Sequence, residues 1–272
     1  MSKQTVLFIV EGENRDYRFI NEMTQCFFKG KYKIKIISLA ASQNVYMLYQ
    51  KLLEDDFDTD VVELLREQVK SAAEQLKGVN RQEISEVYMF FDYDIQEQNI
   101  SNELSISADQ VIEDMLEFFD NETENGKLFI SYPMVEALYD YQTGLCECFT
   151  DCYVHYDMLS SYKYMSGYNN PNASIHYKIE EWKMVINVYI LRLQCLMLVD
   201  KIDFEWFRNN LSTKTIYLSQ KELMDQKQVL FVLSAFPEFL LYYFKRDFWN
   251  SMVKYSNQKY VHCSKKIDFR NK

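Results

Sequence analysis

The chain has 272 residues, of which 48% are hydrophobic and 26% are charged, a composition typical of a globular protein with one large domain or two. Only 6 glycines and 3 prolines are present, which argues against long flexible linkers and favours extended helices. The formal net charge of -10 argues against a broad electrostatic grip on nucleic acid, because such binding depends on Lys and Arg side chains that neutralise phosphates.

No apolar segment has the eighteen or more residues that a membrane-spanning helix needs. The two longest apolar runs, 185–199 and 229–244, are interrupted by polar residues and predict buried helices. Residues 2–5 lead straight into a strand-like run, so we expect no signal peptide. A cytoplasmic protein with reduced cysteines and no membrane contact is therefore expected.

Strand-like and helix-like patterns alternate over the first half of the chain. The predicted strands are short apolar runs, namely Thr5–Val10, Lys33–Ile37, Glu86–Phe91 and Lys127–Ser131. The predicted helices carry apolar residues at helical spacing, and they comprise one from about Asn14 to Gly30, two between residues 43 and 76, and Ala108–Phe119. This alternation predicts an α/β fold with a mostly parallel four-stranded sheet flanked by helices.

The pattern changes beyond about residue 140, where Tyr, Phe, Met and Leu dominate long helical runs. The predicted helices are Ser174–Val199, Asp203–Leu211, Ser219–Leu233 and Pro237–Tyr255. We therefore expect an α/β core over residues 1–140 and a mainly α-helical extension over residues 141–272. The extension is expected to contact a partner protein, a second copy of the chain or a substrate.

Acidic residues follow three of the predicted strands: Glu11 after the first, Asp92 and Asp94 after the third, and Glu136 after the fourth. Because the carboxyl ends of parallel strands meet at one edge of a sheet, these side chains are expected to converge. Hard oxygen ligands of this kind suit Mg²⁺ or Mn²⁺ and not zinc. The four acids are therefore the predicted metal ligands and catalytic residues.

Any one of these acids, taken singly, is most often a helix cap or a solvated side chain. Three strand ends together favour a metal site, since acids beside buried apolar runs are costly unless a cation compensates them. Asp16, one turn beyond Glu11, and Asp140, four residues after Glu136, could extend the cluster.

The same residues resemble a known family. An apolar strand that ends in Val10-Glu11-Gly12-Glu13-Asn14, followed about eighty residues later by Phe91-Asp92-Tyr93-Asp94, is similar to the toprim domain of topoisomerases, primases and OLD-type nucleases. The resemblance covers residues 4 to 140. With the segment 132–138, the pattern looks closest to small defence-associated toprim effectors of the OLD-like and PARIS type.

This resemblance implies a metal-dependent endonuclease that cleaves tRNA or DNA in anti-phage defence. Glu11 would be a metal ligand or general acid/base, Asp92 and Asp94 would be Mg²⁺ ligands, and Glu136 would lie beside them. A lysine in the later part of the chain would stabilise charge at the site. The four candidates are Lys163, Lys178, Lys265 and Lys266. PARIS-type members act with a separate ABC-type ATPase, and this chain has no phosphate-binding G-x4-G-K-[ST] loop of its own.

Three alternatives remain at the level of sequence. The chain could be a binding or sensor subunit that retains a toprim fold without catalysis. It could also be a nucleotide-binding or phosphotransfer protein in which Asp92 and Asp94 hold one Mg²⁺. A zinc site at Cys146, Cys148, Cys152 and His155 is disfavoured, because the spacing is not that of the usual C-x2-C pairs.

Overall fold

The computed structural model describes residues 4–39, 43–93, 106–140, 152–168 and 174–254. The chain divides into two compact units, Met1–Ile130 and Ser131–Lys272. The segment 131–140, which the sequence groups with the α/β core, belongs to the second unit. Glu136 is therefore described with that unit below.

A five-stranded sheet forms the first unit. In spatial order its strands are β2 (Lys33–Ser38), β1 (Thr5–Val10), β3 (Ile84–Asp92), β5 (Gly126–Ser131) and β4 (Asp120–Asn121). Strand β1 runs parallel to both β2 and β3, whereas β4 runs antiparallel to β5. All six residues of β1 are buried, and the ring of Phe8 lies 5.8 Å from that of Tyr88. The predicted mixed α/β architecture with a mostly parallel sheet is confirmed.

The prediction of four strands is wrong by one, because Asp120–Asn121 pairs with Gly126 and Lys127 in a tight hairpin. Two residues are too few for an alternating pattern to be recognised in a sequence. Glycine is required at position 126, where φ is +115° and an added Cβ would lie 3.3 Å from Met89 Cε.

In the part of this unit that the structure describes, five α-helices accompany the sheet: α1 (Arg15–Phe27), α2 (Val45–Leu53), α3 (Val61–Gln68), α4 (Lys70–Gln75) and α5 (Ala108–Phe118). Side chains cap three of them, since Asn44, Asp60 and Ser107 each accept a hydrogen bond from a first-turn backbone N–H. The two helices predicted between residues 43 and 76 are three, because Val69 has an extended backbone that separates α3 from α4.

The second unit combines helices with a small sheet. Its α-helices are α6 (Leu159–Tyr162), α7 (Ile179–Leu196), α8 (Phe204–Asn210), α9 (Thr213–Lys227), α10 (Ala235–Tyr243) and α11 (Arg246–Met252). Strands β6 (Tyr153–His155) and β7 (Val229–Phe231) pair antiparallel, and an isolated bridge joins Tyr132 to Leu233. A short 3-10 helix, Val135–Tyr139, carries Glu136.

Two of the helices predicted here are wrong in extent. The run predicted as Ser219–Leu233 leaves the helix at Gln228, whose left-handed backbone ends α9, and continues as β7. The run predicted as Pro237–Tyr255 is broken at Phe244, which has an extended backbone between α10 and α11.

Among the helices of the described residues, none combines the length and the apolar character that crossing a membrane requires.

Candidate carboxylate site

Glu11 and Asp92 lie side by side at the carboxyl ends of β1 and β3. The two strands are neighbours in register, with Val10 opposite Phe90. The Glu11 N–H donates to the carbonyl oxygen of Phe90 at 3.2 Å, and the Asp92 N–H donates to Glu11 Oε2 at 3.1 Å. The structure therefore brings together the acidic ends of the first and third predicted strands, as expected when parallel strands end at the same edge.

A third carboxylate lies beside the turn that follows Glu11. Asp16 is in the first turn of α1 and is only 7% exposed. A Cβ added at Gly12 would lie 2.3 Å from Asp16 Oδ2, so the carboxylate is packed against the glycine Cα. The glycine that follows Glu11 is thus explained by a close approach and not by a left-handed backbone.

Asp94, Glu136 and Asp140 are the remaining residues of the predicted carboxylate site. Asp94 lies outside the described residues. In the second unit, Glu136 is 1% exposed, and its backbone carbonyl accepts a hydrogen bond from Ser166 Oγ at 3.3 Å. Asp140 accepts a hydrogen bond from the Tyr162 hydroxyl through Oδ2.

The donor atoms at the β1 and β3 ends are of the kind that binds Mg²⁺ or Mn²⁺. Both Glu11 and Asp92 offer carboxylate oxygens, and Mg²⁺ commonly binds one or two protein carboxylates together with water and substrate phosphate. Across the five described ranges, no group of three or more His, Cys, Asp or Glu side chains is arranged to hold a metal ion. A Mg²⁺ site with Glu11, Asp92, Asp94 and Glu136 as its protein ligands therefore stays a prediction.

The second unit contains a buried group of ionisable side chains that the sequence alone did not single out. Arg192 and Glu238 are each 4% exposed, and Arg192 Nη1 donates to the Val232 carbonyl at 3.0 Å. Burial, reinforced by Asp140, raises the pKa of Tyr162 well above its ordinary value. Burial and then Glu238 raise the pKa of Tyr189 in the same direction. Both hydroxyls therefore stay protonated at neutral pH.

A small pocket of about 10 Å³ lies beside Tyr189 and Arg192, and Asp140 and Ser234 are also among its lining residues. Such a volume accommodates about one water molecule. In the sequence, Arg192 and Glu238 only interrupt apolar helical runs. That interruption is the available signal, because a charge within a buried run needs polar partners.

Two of the four candidate late lysines, Lys163 and Lys178, are exposed in the second unit, whereas Lys265 and Lys266 lie outside the described residues. Of the disfavoured zinc ligands, Cys152 is buried and His155 is exposed, while Cys146 and Cys148 are also outside the described ranges.

No protein-family model, curated protein or solved structure gives a significant match to this chain.

Proposed function

We propose that this protein is a Mg²⁺-dependent endonuclease of toprim type that cleaves nucleic acid, either tRNA or DNA. The observation that carries the proposal is the pairing of Glu11 and Asp92 at the carboxyl ends of adjacent parallel strands, joined by the 3.1 Å hydrogen bond. This edge is where open α/β sheets bind their ligands.

The proposed roles are those that the toprim resemblance implies, and the oxygen ligands of these side chains are compatible with them. A bound Mg²⁺ would supply positive charge to the phosphodiester and to the attacking water. Asp92 and Asp94 would bind the ion, while Glu11 would act as a ligand or as the acid/base group of the site. Glu136 is the fourth proposed carboxylate, and Mn²⁺ is the proposed substitute ion because it accepts the same oxygen ligands.

The biological setting belongs to the same proposal. We propose a cytoplasmic toxic effector in anti-phage defence, controlled by a separate ABC-type ATPase that senses infection. The Tyr- and Phe-rich second unit is the proposed contact for that ATPase or for a second copy of the chain.

The experiment compares wild-type protein with Asp92→Asn and with Glu74→Gln. Glu74 is an exposed acid on α4 and serves as the matched control. Cells that carry the gene together with its neighbouring genes are challenged with phage, and total RNA and DNA are examined for cleavage. We expect cleavage with wild type and Glu74→Gln, and at least a hundredfold less with Asp92→Asn, because a ligand is removed.

Circular dichroism establishes that Asp92→Asn is folded. If folded Asp92→Asn protects cells as well as wild type, the carboxylates are structural, and the chain acts as a binding or sensor subunit instead. Cleavage of nucleic acid by the purified protein that persists in EDTA, which removes Mg²⁺, would also contradict the proposal.

A further inference from the structure

The hydrogen-bond ladder between β1 and β3 continues beyond the last residue of β1. In a parallel pair of strands, a residue donates its N–H to a carbonyl of the neighbouring strand. Its own carbonyl then accepts from the N–H that lies two residues after that carbonyl along the same neighbouring strand. Glu11 donates its N–H to Phe90, so the bond that would follow joins the Asp92 N–H to the Glu11 backbone carbonyl. That N–H is instead donated to Glu11 Oε2, a side-chain atom.

The local sequence explains why a side chain serves here. The chain turns at Gly12, where the buried Asp16 carboxylate packs against the Cα, and α1 begins at Arg15. The main chain of β1 therefore departs while β3 still extends to Asp92. A glutamate has the length to follow β3 for one more residue, and its anionic oxygen makes a stronger acceptor than a neutral carbonyl.

We propose that Glu11 is a positioning residue, whose carboxylate completes the β1–β3 ladder and fixes Asp92 before any metal ion binds. This role rests on the proposed function of the site, and it is distinct from metal ligation because the hydrogen bond from the Asp92 N–H to Glu11 Oε2 needs no ion. The backbone at Asp92 is thereby held at the sheet edge, and its carboxylate extends from a fixed point.

Preorganisation of this kind lowers the cost of forming the site, because the ligand does not have to be ordered when the ion arrives. The requirement is geometric: an acceptor atom must stand at the distance that a glutamate provides. Gln meets it without the charge, and Asp carries the charge without the length. Glu11→Gln and Glu11→Asp therefore distinguish a positioning role, which needs the length of the side chain, from metal ligation, which needs its charge.

The first measurement is amide hydrogen exchange at Asp92 in metal-free protein, by NMR, because exchange reports local opening of a hydrogen bond. We expect Glu11→Gln to exchange within about threefold of wild type, and Glu11→Asp and Glu11→Ala to exchange at least about tenfold faster. Glu13→Gln and Glu13→Asp, at an exposed acid in the same turn, are the controls and leave this amide unchanged.

The second measurement is Mn²⁺ binding by calorimetry with the same variants. Positioning predicts tighter binding by Glu11→Gln than by Glu11→Asp, whereas ligation by charge alone predicts the reverse order. If the Asp92 amide exchanges equally fast in Glu11→Gln and Glu11→Ala, or is protected in Glu11→Asp, the positioning role is overturned. If wild type binds no Mn²⁺, the proposed function fails, and the exchange data still decide the role of Glu11.

Discussion

Gly12 and Asp16 pack closely against each other in the turn after β1. Replacement of Gly12 by Ala would place a Cβ 2.3 Å from Asp16 Oδ2, well inside contact distance. We expect Gly12→Ala to lower the free energy of unfolding by about 1–3 kcal/mol, because overpacking displaces a buried carboxylate. Urea unfolding measures this change.

The control for this prediction is the same substitution in an Asp16→Ala background. If the carboxylate causes the strain, Gly12→Ala costs less there, and the double-mutant cycle gives a coupling energy above about 0.5 kcal/mol. Equal costs in both backgrounds would place the cause elsewhere in the turn.

Sequence reasoning at the residue scale reached Glu11 and Asp92 because each follows a buried apolar run, and parallel strands bring such ends together. It could not predict that Glu11 would take the Asp92 N–H, since this depends on the direction in which the chain leaves β1 at Gly12. The burial of Asp16 depends on the same turn, so its spacing from Glu11 could suggest only proximity.

Helices α2 and α5 are joined by a hydrogen bond whose strength depends on pH. The Tyr49 hydroxyl donates to Asp114 Oδ2 at 2.8 Å. Burial, and then Asp114, raises the pKa of Tyr49 from 10.0 to about 12. Because the folded protein holds this proton more tightly than the unfolded chain, the contribution is complete below about pH 10 and is lost as the pH rises through about 12.

Tyr49→Phe therefore tests the link between these two helices. Near pH 7 we expect the variant to be less stable than wild type by about 0.5–1.5 kcal/mol, because one hydrogen bond is lost. Between about pH 9 and about pH 11.5 wild type should lose more stability than the variant, since Phe cannot ionise. Denaturant unfolding of both proteins at about pH 9 and about pH 11.5 measures the difference. If the two proteins lose the same stability between these pH values, the role of Tyr49 is contradicted.

At the scale of elements, apolar periodicity located four of the five strands of the sheet and most described helices of the first unit. It failed where a short strand and a buried helix have the same apolar pattern. The apolar run Val229–Phe231 is such a case, because it also fits a continuation of the helix before it. The left-handed backbone at Gln228 separates the two, and a glutamine is not a residue that signals such a break.

The charge of the whole molecule limits how it can hold nucleic acid. Lys29 and Lys31 are exposed just before the edge strand β2. Lys33 is exposed at its first position, where its Nζ lies 3.5 Å from Glu83 Oε2. Lysines on an edge strand discourage pairing with other strands, which supports a solvated face over a phosphate contact. With a net charge of -10, few phosphate contacts are expected.

The salt dependence of binding measures those contacts. We expect the slope of log affinity for fluorescent tRNA against log salt concentration to be shallower than about -3, which corresponds to three or four neutralised phosphates. Fluorescence anisotropy between about 50 and 200 mM NaCl, with Ca²⁺ in place of Mg²⁺, gives the slope. A slope of about -6 or steeper would require a broad basic surface, contrary to this expectation.

The hydrogen bond between Glu11 and Asp92 joins residues 81 positions apart in the chain. Parallel pairing over such a separation closes a long loop, so it forms later in folding than local helices do. During synthesis, a chain that ends before β3 has made Glu11 but not its neighbour. The carboxylate pair therefore cannot assemble until β3 has been synthesised and has paired with β1.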